Sequence, residues 1–207
     1  MALKNHALDE KITDAALAEF LENGYEKASL RKIAAAAGVT IGAIYTRYPT
    51  KDELFCSLVQ PLIDRIREAF QSLKGAYGDP EEVAPAQLAR SMQLESQAIL
   101  HLLFDDYDRA VLLLCRSTGS SLERFFDTVV ERKIQETQAF FQASQTPHPN
   151  EGVLRLLVSG QFHMYFQIVS EGCDLDTARE RMNAAIIYHT GGWLTLLRAS
   201  GSQKTED

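Results

Sequence analysis

Apolar residues recur at spacings of three and four along almost the whole chain, and residue-by-residue alternation is nearly absent. The pattern predicts an all-α protein of about nine helices. Leu8, Ile12, Ala15, Ala16 and Phe20 share one face of a first helix over residues 8–22, which Asn23-Gly24 ends. Ser29 stands where it can cap a second helix, in which Leu30, Ile33, Ala34 and Ala37 point inward and which Gly38 breaks. Thr40 caps a third, short helix reaching Arg47. It stops at Tyr48-Pro49, because the residue before a proline avoids the helical region. Thr50-Lys51-Asp52-Glu53 is a capping box that opens a fourth. Leu54, Phe55, Leu58 and Leu62 form its apolar side, Pro61 is a point of bending, and Gly75 and Gly78 mark its end.

Asp79-Pro80-Glu81-Glu82 reads as a cap, a first-turn proline and acidic N-terminal residues, with Pro85 shifting the start by up to a turn. Helices to residue 104, over 105–116 and over 120–141 follow, then a loop at 146–150. Two long helices over 151–170 and 174–199 close the chain. In the last, Leu175, Ala178, Met182, Ala185, Ile186, His189, Trp193 and Leu197 keep helical register through the interior pair Gly191-Gly192. Each glycine costs about 1 kcal/mol against alanine in a helix interior, which close approach of another helix would offset. The expected division is a head at 1–50, a larger helical body at 51–200 and a polar, flexible tail at 201–207.

Composition adds constraints. Apolar residues at 45% and charged residues at 24% belong to a folded globular chain rather than a disordered one. The net charge of −7 argues against a general nucleic-acid coat. Yet Lys27, Arg31, Lys32, Arg47 and Lys51 form a basic island with no Asp or Glu between its ends. An acidic body carrying such a patch can still bind DNA locally while disfavouring indiscriminate sticking, and the alternative is an ordinary solvated face. Cys56, Cys115 and Cys173 are far apart and in apolar contexts, so they read as small core residues. No Cys/His cluster has metal spacing, and neither metal nor cofactor is expected. Residues 1–10 lack the apolar core of a signal peptide, and no run of about 18 apolar residues exists. The expected compartment is the cytoplasm, without membrane association.

The chemistry concentrates in residues 31–54, RKIAAAAGVTIGAIYTRYPTKDEL. Two short helices joined at Gly38 have the layout of a DNA-binding helix-turn-helix. The second is too short to stand alone and must be braced by the two before it. Its outward edge carries Thr40, Ile41, Gly42, Tyr45, Thr46 and Arg47. Hydroxyls and arginine reach phosphates or base edges, Ile41 suits a thymine methyl, and Gly42 lets the backbone lie close. Lys51, opening the next helix, can meet another phosphate. Ser29 and Thr40 are caps first and phosphate contacts second.

Over about residues 9–55 the chain resembles the N-terminal domain of the TetR family. The resemblance rests on Phe20, Gly24-Tyr25, Ser29, Ile33-Ala34, Ala37-Gly38-Val39, Gly42, Tyr45, Tyr48, Lys51 and Glu53-Leu54 at fixed spacing. It implies phosphate contacts from Tyr45 and Lys51, base contacts from Ile41, Gly42 and Arg47, and a buried Tyr48. The sequence departs from the family pattern at Ile41, where relatives often carry a polar or basic residue. It departs again in the arm 2–8, whose basic residues are only Lys4 and His6.

The resemblance further implies a homodimer on double-stranded DNA, built from the last two helices. Apolar residues on more than one face of 151–199 support this separately, as expected of helices buried all round. The expected dimerisation residues are Phe162, Phe166, Met182, Ile186, His189 and Trp193. A pocket for a small, partly hydrophobic organic effector is implied in the body. The polar candidates on apolar stretches are His101, Cys115, Arg116, Gln161, His163 and Gln167. The resulting expectation is a ligand-responsive repressor acting on a near-palindromic operator. The rivals are a helical interaction module without DNA and, further off, an all-α enzyme. For the enzyme, Glu-x-x-His pairs, HExxH, GxSxG and phosphate-loop motifs are all lacking.

Overall fold

Helix-forming periodicity becomes helix throughout. The computed structural model describes residues 2–74, 85–143 and 149–202, and among them are nine helices and no strand. In order they are α1 (Ala2–Lys27), α2 (Leu30–Ala37), α3 (Ile41–Arg47), α4 (Lys51–Lys74), α5 (Pro85–Asp105), α6 (Tyr107–Cys115), α7 (Phe125–Ala143), α8 (Glu151–Glu171) and α9 (Leu175–Ser202).

α1 begins at Ala2 rather than near Leu8, and three further boundaries differ from the sequence expectation for local reasons. Gly24 breaks α1 rather than ending it. Its φ of 70° and ψ of 165° are open to glycine, and one more turn follows to Lys27. α7 begins at Phe125 rather than near Ser120, because 117–125 is a string of tight turns. In it Ser120 N–H donates to Ser117 C=O, Glu123 N–H to Ser120 C=O, and Phe125 N–H to Leu122 C=O. α9 runs on to Ser202, so two residues of the expected tail are helical. The expected breaks at Gly75 and Gly78, the turn 79–82 and residues 203–207 lie outside the described residues, as does most of the loop 146–150.

The chain forms two compact units: Met1–Arg65 with Asp105–Phe125, and Ile66–Phe104 with Phe126–Asp207. The first unit closes around Ile12, Ala16 and Phe20 of α1, Ile33 of α2, Ile44 of α3, and Leu54, Phe55, Val59 and Leu62 of α4, none of them exposed. Phe55 meets Phe20 and Tyr25 edge-on, at ring separations of 5.1 and 5.2 Å. α6 adds Ala110, Leu112 and Leu113 to the buried set and packs on α1.

The second unit buries Ile99, Leu100 and Leu103 of α5 and Ile134 and Phe141 of α7. From α8 it buries Leu154, Val158, Phe162, Tyr165 and Val169, and from α9 Ala178, Met182, Ile186 and Trp193. No helix among the described residues is long and apolar enough to cross a membrane.

Candidate functional site

α2 and α3 are joined by a turn whose geometry depends on one glycine. Gly38 takes the left-handed conformation (φ 68°, ψ 33°) at the end of α2, and Val39 N–H closes back on Ala34 C=O at 2.9 Å. Thr40 then caps α3, its hydroxyl oxygen accepting from Ala43 N–H at 3.2 Å. Ile44 is the fully buried anchor of this seven-residue helix. Tyr48 ends it in extended conformation before Pro49 and is half-buried.

Ser29 precedes α2 as expected, but its side chain makes no capping bond. Its backbone N–H instead donates to Glu19 Oε1 at 3.0 Å. Glu19 is a buried acid on the apolar face of α1 beside Phe20, so the charge is satisfied by a helix-end donor.

The outward edge of α3 presents Thr40, Ile41, Gly42, Tyr45 and Thr46, all exposed. Ile41 is 38% and Tyr45 47% exposed, among the large hydrophobic side chains that face solvent. Thr46 donates its hydroxyl proton back to Gly42 C=O at 2.8 Å. A Cβ built on Gly42 would meet only Thr40 Oγ1, at 3.8 Å, so packing does not demand glycine there.

Arg47 does not stand out with them. Its guanidinium forms an ion pair with Asp9 of α1 and also donates to Ala43 C=O at 3.4 Å. Lys51 is half-buried, donating to Glu26 C=O at 3.1 Å and lying 4.7 Å above the Tyr25 ring. Burial pulls its ammonium below the ordinary lysine value, against the opposing pull of Glu26 and Glu19. Arg31 and Lys32 of α2 are exposed on the same island. Of the expected DNA contacts, five are thus gathered on one exposed edge, while Ser29, Arg47 and Lys51 are engaged with the chain itself.

The turn after α6 is fastened to this unit. Tyr25 N–H donates to Arg116 C=O at 2.8 Å, and Ser121 N–H donates to Asp52 Oδ1 at 2.9 Å. Burial tends to raise the Asp52 carboxyl, but bonds from Ser121, then Cys56 and Tyr25, bring it below its ordinary range. Cys56 lies 3.4 Å from Ser121 Oγ within this polar cluster, and all three cysteines are half-buried rather than core residues. Burial raises the Cys56 and Cys115 thiols, which keeps them protonated.

The expected effector contacts are divided between the two units. Cys115 and Arg116 belong to the first unit and the other four to the second. His101, His163 and Gln167 are exposed. Gln167 donates to Glu171 Oε1, and His163 stacks on Phe166. Only Gln161 is buried. Among the described residues, the buried polar groups of the second unit are Gln161, Ser91, Glu95, Ser96, His189 and Thr190. Glu95 is 2% exposed and accepts from Lys133 Nζ at 2.6 Å, and that ammonium lies 5.7 Å from the Phe70 ring centre. Burial, then the Glu95 carboxylate, raise the Tyr165 phenol well above its ordinary value. A signal was available in Ser91, Glu95 and Ser96, which recur at helical spacing amid apolar residues of α5.

The expected dimerisation residues also take other places. Phe162, Met182, Ile186, His189 and Trp193 are buried within their own chain, and Phe166 is half-buried. Trp193 Nε1 donates to His189 Nε2 at 2.9 Å, and burial lowers the His189 pKa, so the ring accepts as the neutral form. Among the described residues, the most exposed large apolar side chains are Leu156 of α8 at 72% and Ile187 and Tyr188 of α9 at 71% and 83%, with Leu94 of α5 and Leu196 of α9 less so. Among the described residues, no other part of the chain would meet a Cβ on Gly160, Gly191 or Gly192 within 4 Å. No cluster of metal-binding side chains occurs among the described residues.

Comparison with known proteins bears on the α1–α4 segment most directly. A family profile described as bacterial regulatory proteins, tetR family, matches residues 12–58. The HTH-type transcriptional regulator TtgR of Pseudomonas putida is 36% identical over 85 residues, 41% of this chain and 39% of that protein. The match thus spans about two fifths of that relative's length. A crystal structure of a TetR-like transcriptional regulator from Rhodococcus sp. RHA1 superposes with a TM-score of 0.61 at 18% identity. It covers 89% of this chain and 96% of the other. That of the regulator FadR from Bacillus subtilis, in complex with stearoyl-CoA, gives 0.60 at 20% identity, over 88% and 98%. At these identities the structural likeness speaks for the fold.

Proposed function

Because the chain belongs to the TetR family of bacterial regulatory proteins, we propose that it is a DNA-binding transcriptional regulator. It acts as a homodimer on a near-palindromic operator, represses when bound, and is released by a small, partly hydrophobic organic effector. The observation that carries this reading is the edge of α3. Ile44 anchors a helix otherwise too short to persist, and the bracing leaves Thr40, Ile41, Gly42, Tyr45 and Thr46 exposed together. Arg31 and Lys32 beside it suit phosphate contact. We assign DNA reading to residues 1–50 and effector binding and dimerisation to 51–200. The protein works in the cytoplasm, where it meets chromosomal DNA.

For the dimer, the exposed apolar face of α8 and α9 supports a contact through Leu156, Ile187 and Tyr188 rather than through the residues expected from sequence. For the effector, the polar interior of the second unit supports contacts from Gln161, Glu95, Lys133 and Tyr165. Stearoyl-CoA, held by the Bacillus subtilis regulator, is itself amphipathic. Control requires that the effector bind two dimer arrangements with different affinity.

The test is a mobility shift with purified protein and the DNA flanking its own gene, at about 150 mM salt to suppress sequence-independent binding. A discrete complex of dimer size is expected. A folded, dimeric protein that selects no fragment from its whole genome would overturn the reading.

A further inference from the structure

Side chains that discriminate bases in the major groove do so by matched chemistry. Arginine and lysine read guanine, asparagine and glutamine read adenine, acids read cytosine, and apolar groups read the thymine methyl. The exposed edge of α3 contains none of the first three kinds. The one charged residue of the helix, Arg47, is turned back onto Asp9 and the Ala43 carbonyl, with its side chain 21% exposed.

The two hydroxyls are also partly committed. Thr46 spends its proton on Gly42 C=O, so outward it can only accept. Thr40 spends a lone pair on Ala43 N–H, so its own proton is left to donate. Between them Ile41 exposes an aliphatic side chain that gains nothing from water. Beside it, Gly42 lacks a side chain although the chain around it has room for one. That bare backbone permits close approach to a groove floor.

Resting on the DNA-binding reading, we infer that Ile41 determines operator specificity by packing on a thymine methyl, and that Arg47 is a brace for α3 rather than a base reader. Hydroxyls and the α2 cations supply register and affinity around that contact.

The experiment replaces thymines of the operator one at a time with deoxyuridine, which removes only the C5 methyl, and measures affinity of the full chain. One thymine in each half-site should be sensitive, at about fourfold each and about fifteenfold for the symmetric pair. Ile41→Ala, at an exposed position, should bind the thymine operator about as weakly as the native chain binds the deoxyuridine one. It should also be indifferent to the replacement. Arg47→Gln, with its fold verified by circular dichroism, should select the same bases from a randomised pool.

A tight operator complex indifferent to every deoxyuridine would overturn the inference alone. So would an Ile41→Ala chain that keeps the sensitivity, or an Arg47→Gln chain that loses a guanine preference. Absence of any operator complex would overturn the DNA-binding reading with it.

Discussion

The helices α3 and α9 both hold apolar groups out to solvent, and they do so in opposite ways. α3 shows an aliphatic and an aromatic side chain set among hydroxyls and a glycine, on a helix of seven residues. α9 shows Ile187 and Tyr188, 71% and 83% exposed, on a helix of 28 residues, with Leu156 of α8 equally bare. The first edge is narrow and mixed, which suits a groove lined by polar base edges and methyls. The second is apolar, which suits the same surface on another copy, where isologous contact buries each residue on both protomers. Exposure alone does not name a partner; the width and chemistry of the exposed strip do.

The double substitution Ile187→Glu, Tyr188→Glu should weaken self-association by about 100-fold or more, because central aromatic and aliphatic anchors carry most of such an interface. Sedimentation analysis should show monomers with unchanged helix content. A dimer that persists would move the interface elsewhere.

On α3, Tyr45→Ala should lower operator affinity by about tenfold, about 1.4 kcal/mol, without altering self-association. Equal affinity in a quantitative shift assay would remove Tyr45 from the contact surface.

The brace behind that edge is sharpened by Asp52→Asn, which weakens the bond from Ser121 N–H. Urea unfolding should show a loss of about 1 kcal/mol at neutral pH. Asp52 has a native pKa below its unfolded value, so its contribution is complete above the unfolded pKa. It is lost as pH falls through the native one. The variant should therefore approach native stability in acid.

The smallest effect is at Gly191. In the Ile187→Glu, Tyr188→Glu background, Gly191→Ala should add up to about 1 kcal/mol from helix propensity, since none of the described residues opposes a Cβ there. In the native background the same change should weaken the dimer, if a partner helix lies against it.

The head was legible because its determinants are local. Gly38, Thr40, the Tyr48-Pro49 stop and the cap at Thr50 each act within a few residues, and the structure uses all of them. What escaped were partners distant in sequence. Asp9 lies 38 residues from Arg47, Glu19 ten from Ser29, and Ser121 69 from Asp52. Nothing in local periodicity joins such pairs.

The body was legible in helix number but not in orientation. Helices apolar on several faces do not reveal which face meets their own chain. Trp193 and Met182 thus read as interface residues although they are core, while Ile187 and Tyr188 are the exposed ones. His101 and His163 are polar groups in apolar runs, yet both are exposed, and the buried acid Glu95 is satisfied inside by Lys133.

Hydroxyl-radical footprinting of the full chain on its selected operator tests the two surfaces at once. Two protected patches are expected on one face of the duplex, centred about one helical turn apart, each placing α3 in a major groove. A single patch, or uniform protection without a preferred position, would contradict this arrangement.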